Sequence, residues 1–214
     1  MKTRLLSTLL LLAAAAPSLA EVANPWAPLE ALRNLPTIES TGRIEIDRAG
    51  RGAWETLPFK LWYAAPGKFR TEVRAGVLGI ILTVSDGQNV WSKDGGGDTV
   101  VHRQSYESYK NRRDAATDPF TLFLLNRDPL SANWRIEGTP SATSFRLAPL
   151  RPRSDLDFLD IRLSSNGSAL SAIEAIKGRR ATIKIKFDAW STPASIPADR
   201  FAFDPTGLRV NDIR

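Results

Sequence analysis

The side chains that could make or break bonds in this chain are few, and their spacing does not favour it. The one histidine, His102, lies in the strand-like run Thr99-Val100-Val101-His102-Arg103. No G-x-S-x-G or H-E-x-x-H sequence supplies it with a nucleophile or a metal, so it reads as a structural histidine. The absence of cysteine removes disulfides, Cys-ligated zinc and thiol catalysis, and a single histidine cannot build a multi-histidine metal site. Asp155/Asp157 and Asp157/Asp160 could mimic a glycosidase carboxylate pair. Asp155 and Asp157 read more simply as the solvent side of a strand. The run Lys110-Asn111-Arg112-Arg113, behind Tyr106 and Tyr109, could meet lipid phosphates or an acidic partner, although a solvated loop is the commoner use of such a run. The expectation is therefore no catalytic residue, no metal, no cofactor and no enzyme.

The frame holding these residues is 214 long, 43% hydrophobic and 24% charged, which suits one folded domain with a substantial core. Residues 1–20 read as a cleaved secretory signal, with Lys2 and Arg4, an apolar run from Leu5 to Ala16, and Pro17-Ser18-Leu19-Ala20 for cleavage after Ala20. That run is shorter than the ~20 residues of a spanning helix. An exported chain without cysteine fits a bacterial periplasm. Loss of Lys2 and Arg4 lowers the formal charge from +6 to +4. The remaining basic residues are dispersed among acids, so no nucleic-acid partner is expected. Residues 21–214 are expected to form a single domain and a monomer.

Trp26, Leu29, Leu32 and Leu35 recur at helical spacing before Pro36, which predicts a short amphipathic helix. Period-two alternation then takes over. Phe59, Leu61 and Tyr63 alternate with Lys60 and Trp62, and Phe69, Thr71 and Val73 with Arg70 and Glu72. Ile44 and Ile46 alternate with Glu45, and late in the chain Ile183, Ile185 and Phe187 alternate with Lys184 and Lys186. Each run is a strand with one apolar and one wet face. Less regular candidates lie near 78–85, 89–93, 98–104, 133–137, 142–148, 156–164, 170–176 and 200–203. The pattern predicts a mainly β chain built as one antiparallel meander of about a dozen strands. A sheet of that size in one small domain either closes on itself or curls strongly, and two short helices are available to cover its concave apolar face. Between Ser105 and Ala132 a second helix is expected, started by Asp118-Pro119 and carrying Phe120, Leu122, Phe123, Leu124 and Leu125. A helix apolar on nearly all sides must be buried or cover something apolar. Two outcomes satisfy this pattern, a filled core or a lined cavity with a helical lid. A filled core is the commoner.

Five short motifs, in order, resemble a known family. Trp62-Tyr63-Ala64-Ala65-Pro66-Gly67-Lys68-Phe69-Arg70 is similar to the "Pro-x-x-Phe" strand–turn–strand of the periplasmic outer-membrane lipoprotein carriers (LolA-like). Val84-Ser85-Asp86-Gly87-Gln88-Asn89-Val90-Trp91 resembles that family's "SDG-x-x-W" hairpin, and Asp118-Pro119-Phe120-Thr121-Leu122 its Pro-Phe-x-Leu lid helix. Phe145-Arg146-Leu147-Ala148-Pro149 is similar to "F-x-L-x-P", and Phe201-Ala202-Phe203-Asp204-Pro205-Thr206-Gly207 to the closing "F-x-F-x-P-x-G".

The resemblance implies a single strongly curved antiparallel sheet, an open half-barrel of about 11 strands, with short helices covering an apolar cavity on its concave face. The implied task is to receive acylated lipoproteins from an inner-membrane exporter and pass them to an outer-membrane acceptor. The physics of that task is solvation. One acyl chain of ~16 carbons costs on the order of 12 kcal/mol in water, at about 0.8 kcal/mol per methylene. By motif match Phe69 would stand in the cavity wall near its entrance, with Phe120, Leu122 and Leu124 on the lid. Phe59, Leu61, Tyr63, Val73, Ile183, Ile185 and Phe187 are wall candidates by alternation alone. The sequence departs from the family at Ala65, where the best-known carriers have an arginine that bonds the lid shut, so Arg70 or another donor would have to do so. The alternative is a lipid- or lipoprotein-binding periplasmic sensor or regulator on the same fold, without a transfer role.

Overall fold

A computed structural model describes residues 24–47, 52–95, 97, 99–110, 123, 125, 128–178 and 180–213. The predicted signal sequence and three lid residues, Phe120, Leu122 and Leu124, lie outside the described residues. The chain opens with α1 (Ala27–Arg33), β1 (Thr37–Ile46), β2 (Glu55–Ala64) and β3 (Lys68–Arg74). A 3-10 turn (Gly76–Leu78) leads to β4 (Ile80–Asp86), β5 (Asn89–Lys93), β6 (Val100–Ser105) and α2 (Tyr106–Lys110). After α3 (Leu130–Asn133) come β7 (Trp134–Ile136), β8 (Ser144–Pro149), β9 (Phe158–Leu163), β10 (Leu170–Lys177) and β11 (Arg180–Ser191). A second 3-10 turn (Ala198–Phe201) precedes β12 (Arg209–Asp212).

The strands form one 12-stranded sheet in the order β12-β6-β5-β4-β3-β2-β1-β11-β10-β9-β8-β7. Its two edges, β12 and β7, do not pair, so the sheet stays open. The open sheet of about 11 strands is present, with 12. It is not wholly antiparallel as expected, because β12 runs parallel to β6. Residues 200–203 do not form a strand. Residues 198–201 make the 3-10 turn, and the last strand starts at Arg209. A hairpin joins only antiparallel neighbours, so a parallel last strand requires a crossover.

The order also splits the meander in two. Strands β1 to β6 grow outward from the centre, and β7 to β11 grow inward from the far edge until β11 closes on β1. The link from β6 to β7 must therefore traverse nearly the whole sheet, and the link from β11 to β12 must traverse half of it. They take opposite faces. Phe123 and Leu125 of the first link join the main core with Leu29 and Leu32 of α1. Phe203 of the second stacks on Trp91, with ring centroids 5.3 Å apart, on the other side. We call these the inner and outer faces.

Cross-strand register builds the inner face from apolar rows. One row runs Phe145–Ile161–Ile173–Ile185–Ile44–Leu57 across β8, β9, β10, β11, β1 and β2. The intervening residues face outward as opposite-charge pairs such as Arg146–Asp160 and Lys186–Glu45, both at 2.7 Å. One row narrows sharply at Gly42. A Cβ there would lie 2.6 Å from the Phe59 ring and collide with the Lys186 carbonyl, so only glycine lets that ring cross β1.

Candidate functional site

All eight predicted wall residues fall on the inner face, on β3, β2 and β11, which with β1 form one continuous block of the sheet. Val73 pairs with Phe59, Tyr63 with Phe69, and Ile183 and Ile185 with Ile46 and Ile44. Leu61 lies between them on β2, and Phe187 packs edge-on against Phe59 at 5.7 Å and against Trp190 at 5.4 Å. Phe59, Leu61, Tyr63, Phe69, Ile183 and Ile185 are buried, whereas Val73 and Phe187 are half-buried. Among the described residues this face is covered in part, by α1, α2 and the Phe123 and Leu125 side chains. Phe69 lies under Tyr109 of α2, 5.6 Å between centroids, and Tyr106 presses on Gly67 in the β2–β3 turn. Burial, with the nearby Glu107 charge, pushes the Tyr106 hydroxyl pKa above its ordinary value.

Part of this cover is held in an unusual way. Phe123 and Leu125, each 1% exposed, occupy the inner core. Their segment is gripped by α1 through its backbone. Arg33, only 3% exposed, donates from Nε to the Phe123 carbonyl at 2.9 Å and from Nη2 to the Asp128 carbonyl at 3.0 Å. Glu30 orients the guanidinium through Nη1 at 3.0 Å and accepts the Leu130 N–H at 2.7 Å. Burial lowers the Arg33 pKa from its ordinary value, and Glu30 opposes this, so the buried cation keeps a counter-charge. Sequence reasoning missed this clasp. The available signal was a Glu–Arg pair three residues apart beside the apolar stripe of α1, which resembles any surface helix pair.

Arg70, one predicted substitute for the missing latch arginine, is not a latch. It faces outward and pairs with Glu72 at 2.7 Å. Ala65 is exposed and donates its N–H to the Pro36 carbonyl.

The polar groups weighed for catalysis are otherwise engaged. His102 Nδ1 lies 3.2 Å from Asn211 Nδ2 of β12. Asp155, Asp157 and Asp160 pair with Arg153, Lys177 and Arg146. Lys110 pairs with Glu107, and the basic residues at 112 and 113 lie outside the described residues. Among the described residues no group of three or more His, Asp or Glu side chains could hold a metal, and no helix is long and apolar enough to cross a membrane.

The family model described as "Outer membrane lipoprotein carrier protein LolA" matches residues 59–204. The chain belongs to the LolA family. LolA-family carriers are periplasmic, non-enzymatic binding proteins for lipoproteins or lipids. A curated relative, the outer-membrane lipoprotein carrier protein of Methylibium petroleiphilum, is 26% identical over 125 residues. That alignment spans 58% of each chain, little more than half of the relative's length. An uncharacterized conserved protein from Thermus thermophilus has the same fold, with a TM-score of 0.56 at 10% identity over 88% of this chain and 97% of that one. MucB in its complex with MucA from Pseudomonas aeruginosa gives a TM-score of 0.48 at 11% identity, over 89% of this chain and 64% of that one.

Two of the five motifs, the "Pro-x-x-Phe" and "SDG" turns, meet at one end of neighbouring strands β2 to β5. Ser85 Oγ donates to the Gly67 carbonyl at 2.8 Å and accepts the Gly87 N–H at 3.1 Å, which ties the "Pro-x-x-Phe" turn to the "SDG" turn. Asp86 Oδ1 accepts the Gln88 and Asn89 N–H groups, both at 2.7 Å. These bonds fix the two turns on which α2 rests, since Tyr106 N–H donates to the Gln88 carbonyl.

Proposed function

We propose that this LolA-family chain is a periplasmic carrier that accepts the acyl chains of lipoproteins on its inner face and shuttles them from the inner to the outer membrane. Its partners would be an inner-membrane exporter and an outer-membrane acceptor. On this reading residues 1–20 direct export, and residues 21–214 form the single carrying domain. The supporting observation is the clasp. Two apolar side chains help cover the inner face, yet their segment is held by three backbone hydrogen bonds to one Glu–Arg pair. Exchange is then balanced. Phe123 and Leu125 each contribute about 1.5–3 kcal/mol by burial, and an incoming acyl chain contributes more, at about 0.8 kcal/mol per methylene. Val73 and Phe187, still half-buried, are the first wall residues an entering chain would meet. The deeper Leu61 and Tyr63 follow only if the cover is displaced. The clasp grips backbone groups, so it can release and re-form without a particular cargo side chain.

Titration of the mature protein with a fluorescent long-chain fatty acid, with native mass spectrometry of the product, tests this reading. Saturable binding is expected, together with release of lipoprotein from inner-membrane vesicles. Arg33→Met is expected to raise the apparent acyl affinity about tenfold, because less binding energy goes into opening the cover. Absence of acyl binding in both proteins, with no lipoprotein released from vesicles, would sink the proposal.

A further inference from the structure

The outer face carries a second feature, away from the cover of the inner face. At the β3–β4 connection Val77 is fully exposed, and Leu78 and Ile80 are 58% and 43% exposed. This apolar tip is nevertheless well braced. Ala75 N–H donates to the Gly79 carbonyl at 2.8 Å, and Leu78 N–H to the Ala75 carbonyl at 3.0 Å. Gly76 and Gly79, at φ +55° and +81°, allow the tight turn. The loop after β5 buttresses it, since a Cβ on Gly95 would meet the Leu78 carbonyl at 2.5 Å. The side chains are thus held away from the core.

Beside the tip the outer face opens into a groove of about 410 Å³, lined in part by Arg43, Lys60, Glu72, Arg74, Asp188 and the same Ile80. Arg43 pairs with Asp188 at 2.9 Å, and Glu72 is taken by Arg70 at 2.7 Å. Lys60 and Arg74 have no ion pair among the described residues. A groove with two uncommitted cations beside protruding Val and Leu side chains presents charge and hydrocarbon side by side, which complements an anionic bilayer surface.

We propose that this corner of the outer face is a membrane-docking site. Lys60 and Arg74 receive the phosphate of an anionic phospholipid headgroup in the groove, while Val77 and Leu78 enter the acyl layer. The apolar tip supplies adhesion, and the cations select the lipid. Each basic side chain near an anionic surface contributes about a fivefold gain in binding. The site requires no acyl chain on the inner face, so its failure and that of the carrier reading are separable.

The test is flotation of the purified chain with vesicles of three parts phosphatidylcholine to one part phosphatidylglycerol, against pure phosphatidylcholine. Wild type is expected to float with the anionic vesicles and, at raised salt, to fall away. Leu78→Asp is expected to weaken flotation at least tenfold, and Lys60→Gln with Arg74→Gln about 25-fold. In both variants the fatty-acid titration and the melting temperature are expected to stay at wild-type values. Because the chain has no cysteine, Leu78→Cys carries a single environment-sensitive dye whose emission should shift blue on anionic vesicles. Equal flotation with both lipids, wild-type flotation of either variant, or an unshifted dye would overturn the proposal. So would a melting shift with inorganic phosphate, abolished by the Lys60/Arg74 pair of changes, without flotation; the groove would then take a free anion.

Discussion

Two segments cross this sheet, one over each face, and they are attached in opposite ways. The inner crossing, around Phe123 to Leu130, is apolar where it meets the core but is fixed to α1 by hydrogen bonds to its backbone from Glu30 and Arg33. The outer crossing, from 192 to 208, is fixed by side chains and by the sheet itself. Phe201 is buried, Phe203 stacks on Trp91, and Arg200 lies over the Trp62 ring at 4.6 Å. Its end then becomes β12 and pairs with β6 from Arg209↔Val100 to Asp212↔Arg103. Backbone clasps hold a segment in place without depending on its side chains, whereas aromatic stacking and strand pairing make it part of the fold. The carrier proposal requires the first crossing to open while the sheet stands, and leaves the second in place.

The sharpest way to break this comparison is to weaken each crossing and ask what unfolds. Phe201→Ala empties a buried ring site and is expected to cost about 3 kcal/mol of global stability. The whole denaturant midpoint should move, by circular dichroism and tryptophan fluorescence together. Next in size, Arg33→Met leaves the Phe123 and Asp128 carbonyls without their donors, at about 2 kcal/mol for the pair. Its cost should appear locally. Hydrogen exchange should accelerate at Leu130, whose N–H Glu30 accepts, while the amides of β10 and β11 keep wild-type protection. Equal loss of protection in both places would show that the inner crossing is as integral to the fold as the outer one.

The two crossings also differ in how much of them sequence reveals. Strands β1, β2, β3 and β11 are legible because one covered face imposes period two, and Ile183-Lys184-Ile185-Lys186-Phe187 can be read only that way, whereas β4 to β10 show only as less regular apolar runs between turn signals. The outer crossing misleads. Phe201-Ala202-Phe203 alternates like a strand because both rings meet the outer face, though the backbone there is a 3-10 turn running into extended chain. β12 gives no pattern, because all four of its residues are exposed and it forms only where the crossing delivers it beside β6. At the inner site, alternation placed seven wall candidates on one face and the motif match added Phe69 to it. Neither could say that Leu61 is sealed while Val73 is half-open, since that depends on what lies above them. The clasp was out of reach for another reason. Arg33 meets its acceptor 90 residues along the chain, at a carbonyl, and a carbonyl leaves no mark on residue type.

The smallest predicted effect separates the crossings by pH. The outer crossing ends on carboxylates with lowered pKa values. Asp212 is held down by its hydrogen bond and charge pairing with Arg103, at 2.7 Å, and Asp204 by its bond with Thr206. A carboxylate whose pKa is lower folded than unfolded stabilises the fold above its unfolded value of about 3.9, and that contribution fades as pH falls through the lower folded value. Both groups are exposed, so the effect is slight and screened by salt. Acid should loosen β12 from β6 first, while the inner clasp still holds. Hydrogen exchange read across an acid series should show the Arg209 and Ile213 amides, bonded to the Thr99 and Arg103 carbonyls, losing protection before Leu130. Asp212→Asn should remove part of that acid dependence and leave the neutral-pH protection of Leu130 unchanged. If Leu130 loses protection first, the clasp and not the strand is the acid-weak attachment, and the assignment of permanent and releasable crossings is reversed.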